Sequence, residues 1–232
     1  MSSSAPVRTA YHHGDLRNAL IAAAAELAQS GGPASVTIRA AAKTVGVTPT
    51  AAYRHFAGHE ELLAAAKERA LELLAESMNA ELARLPEIAD PVLRALVNLA
   101  AIGRGYLNFA DAEPGLFRTC FAHGMAMSPS PRRARENKPF LRLNEAMDDL
   151  VAAGYLPAER RPMAEVTVWS VVHGLATLYL DGPLRAAEEG ARDQALERSV
   201  EIITVGLGGA PLPAEFAAML QASLRPPEGE RS

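Results

Sequence analysis

An all-α fold is predicted by three observations. Apolar residues recur at helical spacing along nearly the whole chain, sustained alternation of the β type is missing, and glycine and proline gather at the breaks between periodic segments. The 232 residues are 49% hydrophobic and 22% charged. That composition excludes disorder for the bulk of the chain and suffices for one large domain or two small ones.

The first helix is expected over about 15–29, where Leu16, Leu20, Ala24 and Leu27 repeat on one face and Gly31-Gly32-Pro33 ends it. Short helices follow at about 37–45 and 49–56, then a long one over about 60–84. The next spans about 91–110 and stops before Glu113-Pro114-Gly115; a short piece, Leu116 to His123, leads into a polar loop from Ser128 to Pro139. Helices at about 139–153, 158–180 and 188–207 complete the body, with Gly154 and Gly208-Gly209 as stops and Pro157, Pro183 and Pro211 in connections. An amphipathic piece, Pro213 to Leu224, precedes a tail over 225–232 that is expected to be disordered.

Charge is partitioned. Residues 1–59 hold five basic side chains (Arg8, Arg17, Arg39, Lys43, Arg54) against two acidic ones (Asp15, Glu26), while the whole chain carries a net charge of −4. A basic head on an acidic body implies that the head faces an anion.

The chemistry concentrates in residues 36–56. Two helices too short to stand alone meet across Thr44-Val45-Gly46-Val47-Thr48, where a tight turn needs one residue at positive φ. Ala42 and Ala52 are small enough for the two helices to cross closely, the geometry of a helix-turn-helix. Thr37 and Thr48 are N-caps by type, and Pro49 suits the first helical position. The second short helix then shows Pro49, Thr50, Ala51 and Arg54 outward, with no carboxylate between Thr48 and Phe56. Such a face fits the major groove: Arg54 matches the paired acceptors of guanine, and Thr50 and Ala51 match a thymine methyl. Tyr53, His55 and His59 flank it and suit phosphate contacts. The competing reading is an αα-corner with incidental basic surface.

Tyr11-His12-His13-Gly14-Asp15-Leu16-Arg17, Val36-Thr37-Ile38-Arg39, Gly46-Val47-Thr48-Pro49, Tyr53-Arg54-His55-Phe56 and Glu60-Glu61-Leu62-Leu63 together resemble the DNA-binding domain of the TetR family of bacterial transcriptional regulators. The resemblance implies a flexible arm over 1–13, a helix-turn-helix domain over 14–60 and a ligand-sensing, dimerising body over 61–224. It implies that Thr37 and Arg39 begin the supporting helix and approach the backbone or a base, that Pro49, Thr50, Ala51 and Arg54 read bases, and that Tyr53 and the start of the next helix hold phosphate. Two departures stand out: His59 occupies a position where many members carry lysine, which makes that contact weaker and pH-sensitive, and Ala52 replaces a larger apolar residue.

In the second half, Trp169-Ser170-Val171-Val172-His173-Gly174-Leu175 resembles the Trp–His–Gly signature of a subgroup of such C-terminal domains. Trp169 and His173, at i and i+4, share a helix face. They are either core or the wall of a ligand cavity, as are Tyr106, Phe109, Phe117, Phe121, Phe140, Leu143 and Met147. Aromatics and methionines point to an apolar effector, the acidic body to a cation. The helices at about 158–180 and 188–207 are apolar over an arc wider than a surface helix needs, and the resemblance implies a homodimer built from them. A twofold dimer reads an imperfect palindrome.

The function expected is a DNA-binding regulator, a repressor, whose operator affinity responds to a small molecule. The rivals are a DNA-binding dimer without a ligand and a small helical enzyme with His173 and Cys120 as candidates. The second lacks paired carboxylates, a phosphate loop and metal-ligand spacing, so no catalytic residue, cofactor or metal is assigned. A single cysteine excludes a disulfide framework. The longest uncharged stretch, Val166 to Leu180, is too short for a bilayer, and without a signal-type N-terminus the expected location is the cytoplasm.

Overall fold

The computed structural model describes residues 13–122, 138–188 and 190–222. Among them the regular elements are all helical. In chain order they are α1 (His13–Gly31), a 3-10 turn at Pro33–Ser35, α2 (Ile38–Val45), α3 (Pro49–Tyr53), α4 (His59–Ala83), α5 (Pro91–Ala112) and α6 (Pro114–Phe121). Then come α7 (Lys138–Ala152), a 3-10 turn at Ala158–Arg160, α8 (Ala164–Leu180), α9 (Ala191–Gly206) and α10 (Ala214–Ala222).

Alanine-rich α1 packs on α2 and α4, and α4 continues into the body against α5, α6 and α7. One apolar core therefore runs the length of the molecule. Leu20, Ala24, Ala42, Ala52 and Phe56 fill it at the head, and Leu74, Leu96, Leu107, Met147 and Leu150 fill it in the body, all almost fully buried. Helix α5 crosses α4 closely at Gly105, where a Cβ would meet the Met78 Cα at 2.5 Å. Farther along the same crossing, Glu81 and Arg104 form a buried ion pair at 3.6 Å. Asn108 donates to Glu81 Oε1 at 3.3 Å and accepts from Arg192 at 2.7 Å, which ties α4 and α5 to α9.

Four sequence expectations are corrected. The helix expected at 49–56 stops at Tyr53, and residues 54–56 close it as a tightening turn in which His55 and Phe56 both donate to the Ala52 carbonyl. The helix expected at 158–180 is two pieces. Pro162 has no N–H and its ring would strike the carbonyl one turn back, so the chain breaks at Met163 (φ 64) and α8 begins at Ala164. The helix expected at 188–207 begins at Ala191, because Gly190 sits at φ 83. Pro114 is the first residue of α6, where its missing N–H is harmless, so Glu113-Pro114-Gly115 starts a helix as well as ending one. The arm over 1–13, apart from His13, and the tail over 225–232 lie outside the described residues. The loop expected at 128–139 also lies outside them, except Lys138 and Pro139, which open α7.

Candidate nucleic-acid interface and ligand cavity

The turn between α2 and α3 is built as its residue types require. Gly46 takes φ 78, ψ 28 at the end of α2, and Val47 donates to the Ala42 carbonyl at 2.9 Å. A Cβ on Gly46 would meet no atom, so the backbone angle alone demands glycine there. Thr37 Oγ1 accepts from Ala40 N at 3.1 Å, and Thr48 Oγ1 accepts from Ala51 N at 3.3 Å. Both hydroxyls therefore cap helices, with Pro49 at the first position of α3. Ala42 and Ala52 are fully buried between α2 and α3, and Phe56 is almost fully buried beside them in the same core. The Arg17 guanidinium lies 4.9 Å from the Phe56 ring centroid, which pins the end of this unit to α1.

Ten residues are candidates for contact with DNA. Thr37, Arg39, Thr48, Pro49, Thr50, Tyr53, Arg54 and His59 are exposed, while Ala51 and His55 are half-buried. Tyr53, at 51% exposure, is among the few large aromatic or apolar side chains left to solvent. Thr50 and Arg54 stand four residues apart on one face. Glu61, in the first turn of α4, accepts from Ala57 N at 2.7 Å and lies 3.9 Å from Arg17. Its charge is thus partly matched within the fold.

In the body, six of the candidates form one aromatic cluster. Phe117 stacks on His173 at 5.7 Å between centroids, Phe121 meets His173 edge-on at 4.6 Å, and Tyr106 meets Phe117 edge-on at 5.5 Å. Trp169 joins through Phe121 at 6.1 Å and Phe140 at 6.0 Å. A hydrogen-bonded chain threads it: Trp169 Nε1 donates to Tyr106 Oη at 3.3 Å, and Tyr106 Oη lies 2.8 Å from His173 Nδ1. Burial lowers the His173 pKa and raises that of the Tyr106 phenol, so both groups are neutral. With the imidazole proton assigned to Nε2, Nδ1 accepts the phenol proton, the arrangement in which every proton of this chain finds an acceptor.

Beside this cluster lies a cavity of about 50 Å³. Tyr106, Phe121, Phe140 and Trp169 face it, and most of the remaining wall is aliphatic, with Leu74, Met78, Ile102, Val172, Leu196 and Ile203 from four helices. Of the other candidates, Leu143 is in the wall, while Phe109, Phe117, Met147 and His173 are not. Trp169 is both packed in the cluster and part of the wall. In the sequence, nothing distinguishes the aliphatic wall residues from ordinary core. Cys120 is fully buried and its thiol is pushed up to about 12 by burial, so it packs as a small apolar side chain.

Helix α6 joins the two regions. Phe121 at its end lines the cavity, and Gly115 at its start lies against the last turn of α1. Gln29 Nε2 donates to Glu113 Oε2 at 2.8 Å across the same junction. Arg118 Nε donates to Asp181 Oδ2 at 3.0 Å, fastening α6 to the end of α8 and holding the Asp181 carboxyl below its usual range. Apolar side chains remain exposed on α8 and α9, namely Leu178, Ile202 and Val205. Among the described residues, no helix is long and apolar enough to cross a membrane.

Residues 20–66 match the family described as bacterial regulatory proteins, tetR family, and residues 99–203 match the tetracyclin repressor-like C-terminal domain. The chain is 30% identical over 146 residues to the nucleoid occlusion factor SlmA of Marinobacter nauticus, covering 63% of this chain and 71% of that protein. It is 26% identical over 148 residues to SlmA of a Marinomonas species, covering 64% and 72%. Among solved structures, a protein of unknown function from a Rhodococcus species superposes with a TM-score of 0.67 at 22% identity, over 86% of this chain and 99% of that one. The TetR family transcriptional regulator PfmR from Thermus thermophilus superposes with a TM-score of 0.52 at 21% identity, over 83% and 99%. At those identities the two structures are alike in fold.

Proposed function

The chain belongs to the TetR family of bacterial regulatory proteins, and from that premise we propose that it represses transcription as a homodimer whose grip on an operator is loosened by a small molecule in the body. Head and body divide near residue 60, with α4 common to both. Pro49, Thr50, Ala51 and Arg54 read base edges in the major groove; Tyr53, His55, His59 and the turn at Thr37 and Arg39 hold the backbone. The exposed apolar residues of α8 and α9 pair with their symmetry mates, and the two heads then meet two half-sites of an imperfect palindrome.

The observation that carries the effector reading is the placement of α6, one end in the cavity wall and the other against α1. A cavity of about 50 Å³ holds only a few waters, at roughly 10–15 Å³ each. A larger occupant enters by displacing wall side chains, Phe121 among them. Displacement there shifts α6, and α6 moves α1 through the Gly115 contact. A ligand-free architectural dimer needs no such cavity, so the cavity favours the effector reading over that rival.

Selection of bound fragments from random duplex DNA supplies the operator. Operator affinity measured with and without a cavity-binding compound then tests the coupling, which is reciprocal: DNA must weaken the compound by the factor the compound weakens DNA. A selected duplex bound no better than scrambled sequence contradicts the reading.

A further inference from the structure

We infer that the effector is an uncharged, largely hydrocarbon molecule bearing a hydroxyl, and that Tyr106 Oη accepts the hydrogen bond from that hydroxyl. The inference rests on the cavity being the effector site and adds the chemistry of what fits it.

Charge comes first. Among the described residues, no Asp, Glu, Lys, Arg or His lines the cavity. A carboxylate or an ammonium moved from water into such walls loses its hydration and gains no counter-ion, a penalty far larger than aromatic contacts return. The four aromatic rings facing the space offer a cation their faces, but with no neighbouring anion the cost of enclosing a full charge dominates.

Hydrogen bonding then narrows the class. The wall residues that carry a polar side-chain atom are Trp169, Tyr106 and Ser199. Each of their protons is already committed. Trp169 Nε1 donates to Tyr106 Oη, the phenol proton goes to His173 Nδ1, and Ser199 Oγ donates to the Ala195 carbonyl at 2.7 Å. A ligand carrying only acceptors, such as a ketone or an ester, finds no uncommitted donor on these three side chains. Tyr106 Oη, with one lone pair taken by Trp169, keeps a second for an incoming O–H. That hydroxyl would extend the chain running from the indole through the phenol to the imidazole, in which each bond polarises the next.

The protein carries its own reporter, because Trp169 is the sole tryptophan and stands in the wall. Binding of 4-ethylphenol, ethylbenzene, 4-ethylbenzoate and phenyltrimethylammonium to the full chain is read by Trp169 fluorescence. The expected order places 4-ethylphenol first and ethylbenzene second, with both ions at least tenfold weaker. In Tyr106→Phe, 4-ethylphenol is expected to lose about three- to tenfold in affinity while ethylbenzene stays within twofold. Comparison of the four compounds on the wild-type protein needs no variant and stands even if Tyr106→Phe folds poorly. Either ion binding as tightly as 4-ethylphenol overturns the inference, as does binding of none of the four, or an equal loss of both neutral compounds in Tyr106→Phe. A neutral compound that binds in the expected order yet leaves operator affinity unchanged overturns the effector reading and not the ligand class.

Discussion

Gly115 and Gln29 approach so closely that no side chain fits between them. A Cβ on Gly115 would lie 2.3 Å from the Gln29 carbonyl oxygen and equally near that of Ala28. Backbone meets backbone there, so α6 presses on the last turn of α1 without an intervening group. Gly115→Ala is therefore expected to push the two helices apart and cost about 1–3 kcal/mol, as overpacking does. It should also leave compound binding in place while operator affinity no longer responds to it. Urea denaturation and operator titrations with and without the compound check both; unchanged stability and unchanged response would remove this contact from the route.

Ile202, 59% exposed on α9, is with Leu178 on α8 and Val205 among the large apolar side chains left to solvent, and the proposed dimer would cover it. Ile202→Asp is expected to give monomers at micromolar concentration in sedimentation velocity. Because the site is exposed, the fold should change by less than about 0.5 kcal/mol. Operator affinity should fall with the dimer. A variant that stays dimeric contradicts the assignment of this face.

His173 predicts a pH dependence of definite sign. Burial lowers its pKa from 6.5, whereas in the unfolded chain the imidazole keeps its ordinary value. As pH falls through about 6.5, the unfolded state takes up a proton that the folded state refuses. Stability from this residue is therefore complete above that pH and is lost on acidification toward the lowered folded pKa. Denaturation midpoints at several pH values between about 7.5 and 5.5 should fall more steeply for the wild type than for His173→Asn. Parallel profiles would show that the residue does not titrate across folding.

Much of this was legible in the sequence because local rules and the fold agree. Thr37, Gly46, Thr48 and Pro49 each do what their types dictate at a cap or a tight turn, so the helix-turn-helix could be placed to within a residue at α2 and at the start of α3. Helix ends set by a single backbone position were harder. Pro162 does announce a break, yet the positive φ of Met163 that completes it is not written in that residue's type, and Gly115, read as part of a stop, is required for a contact with α1 almost ninety residues away in the chain. The aromatic cluster was visible as a list of residue types. Its division into wall and core was not, because Phe109 and Phe121 look alike until the helices are packed. The buried Glu81–Arg104 pair was invisible for the same reason, since each charge alone reads as a solvated side chain.

The most direct test of the account compares wild type and Arg54→Ala on the selected duplex and on scrambled DNA at one moderate salt concentration. Arg54 is exposed and directly follows α3, one helical turn beyond Thr50. If it reads a base, the variant loses about 1–3 kcal/mol on the selected duplex, loses much less on scrambled DNA, and tolerates substitution at one base position. Equal losses on both duplexes would reduce Arg54 to a phosphate contact and contradict the claim that this face reads sequence.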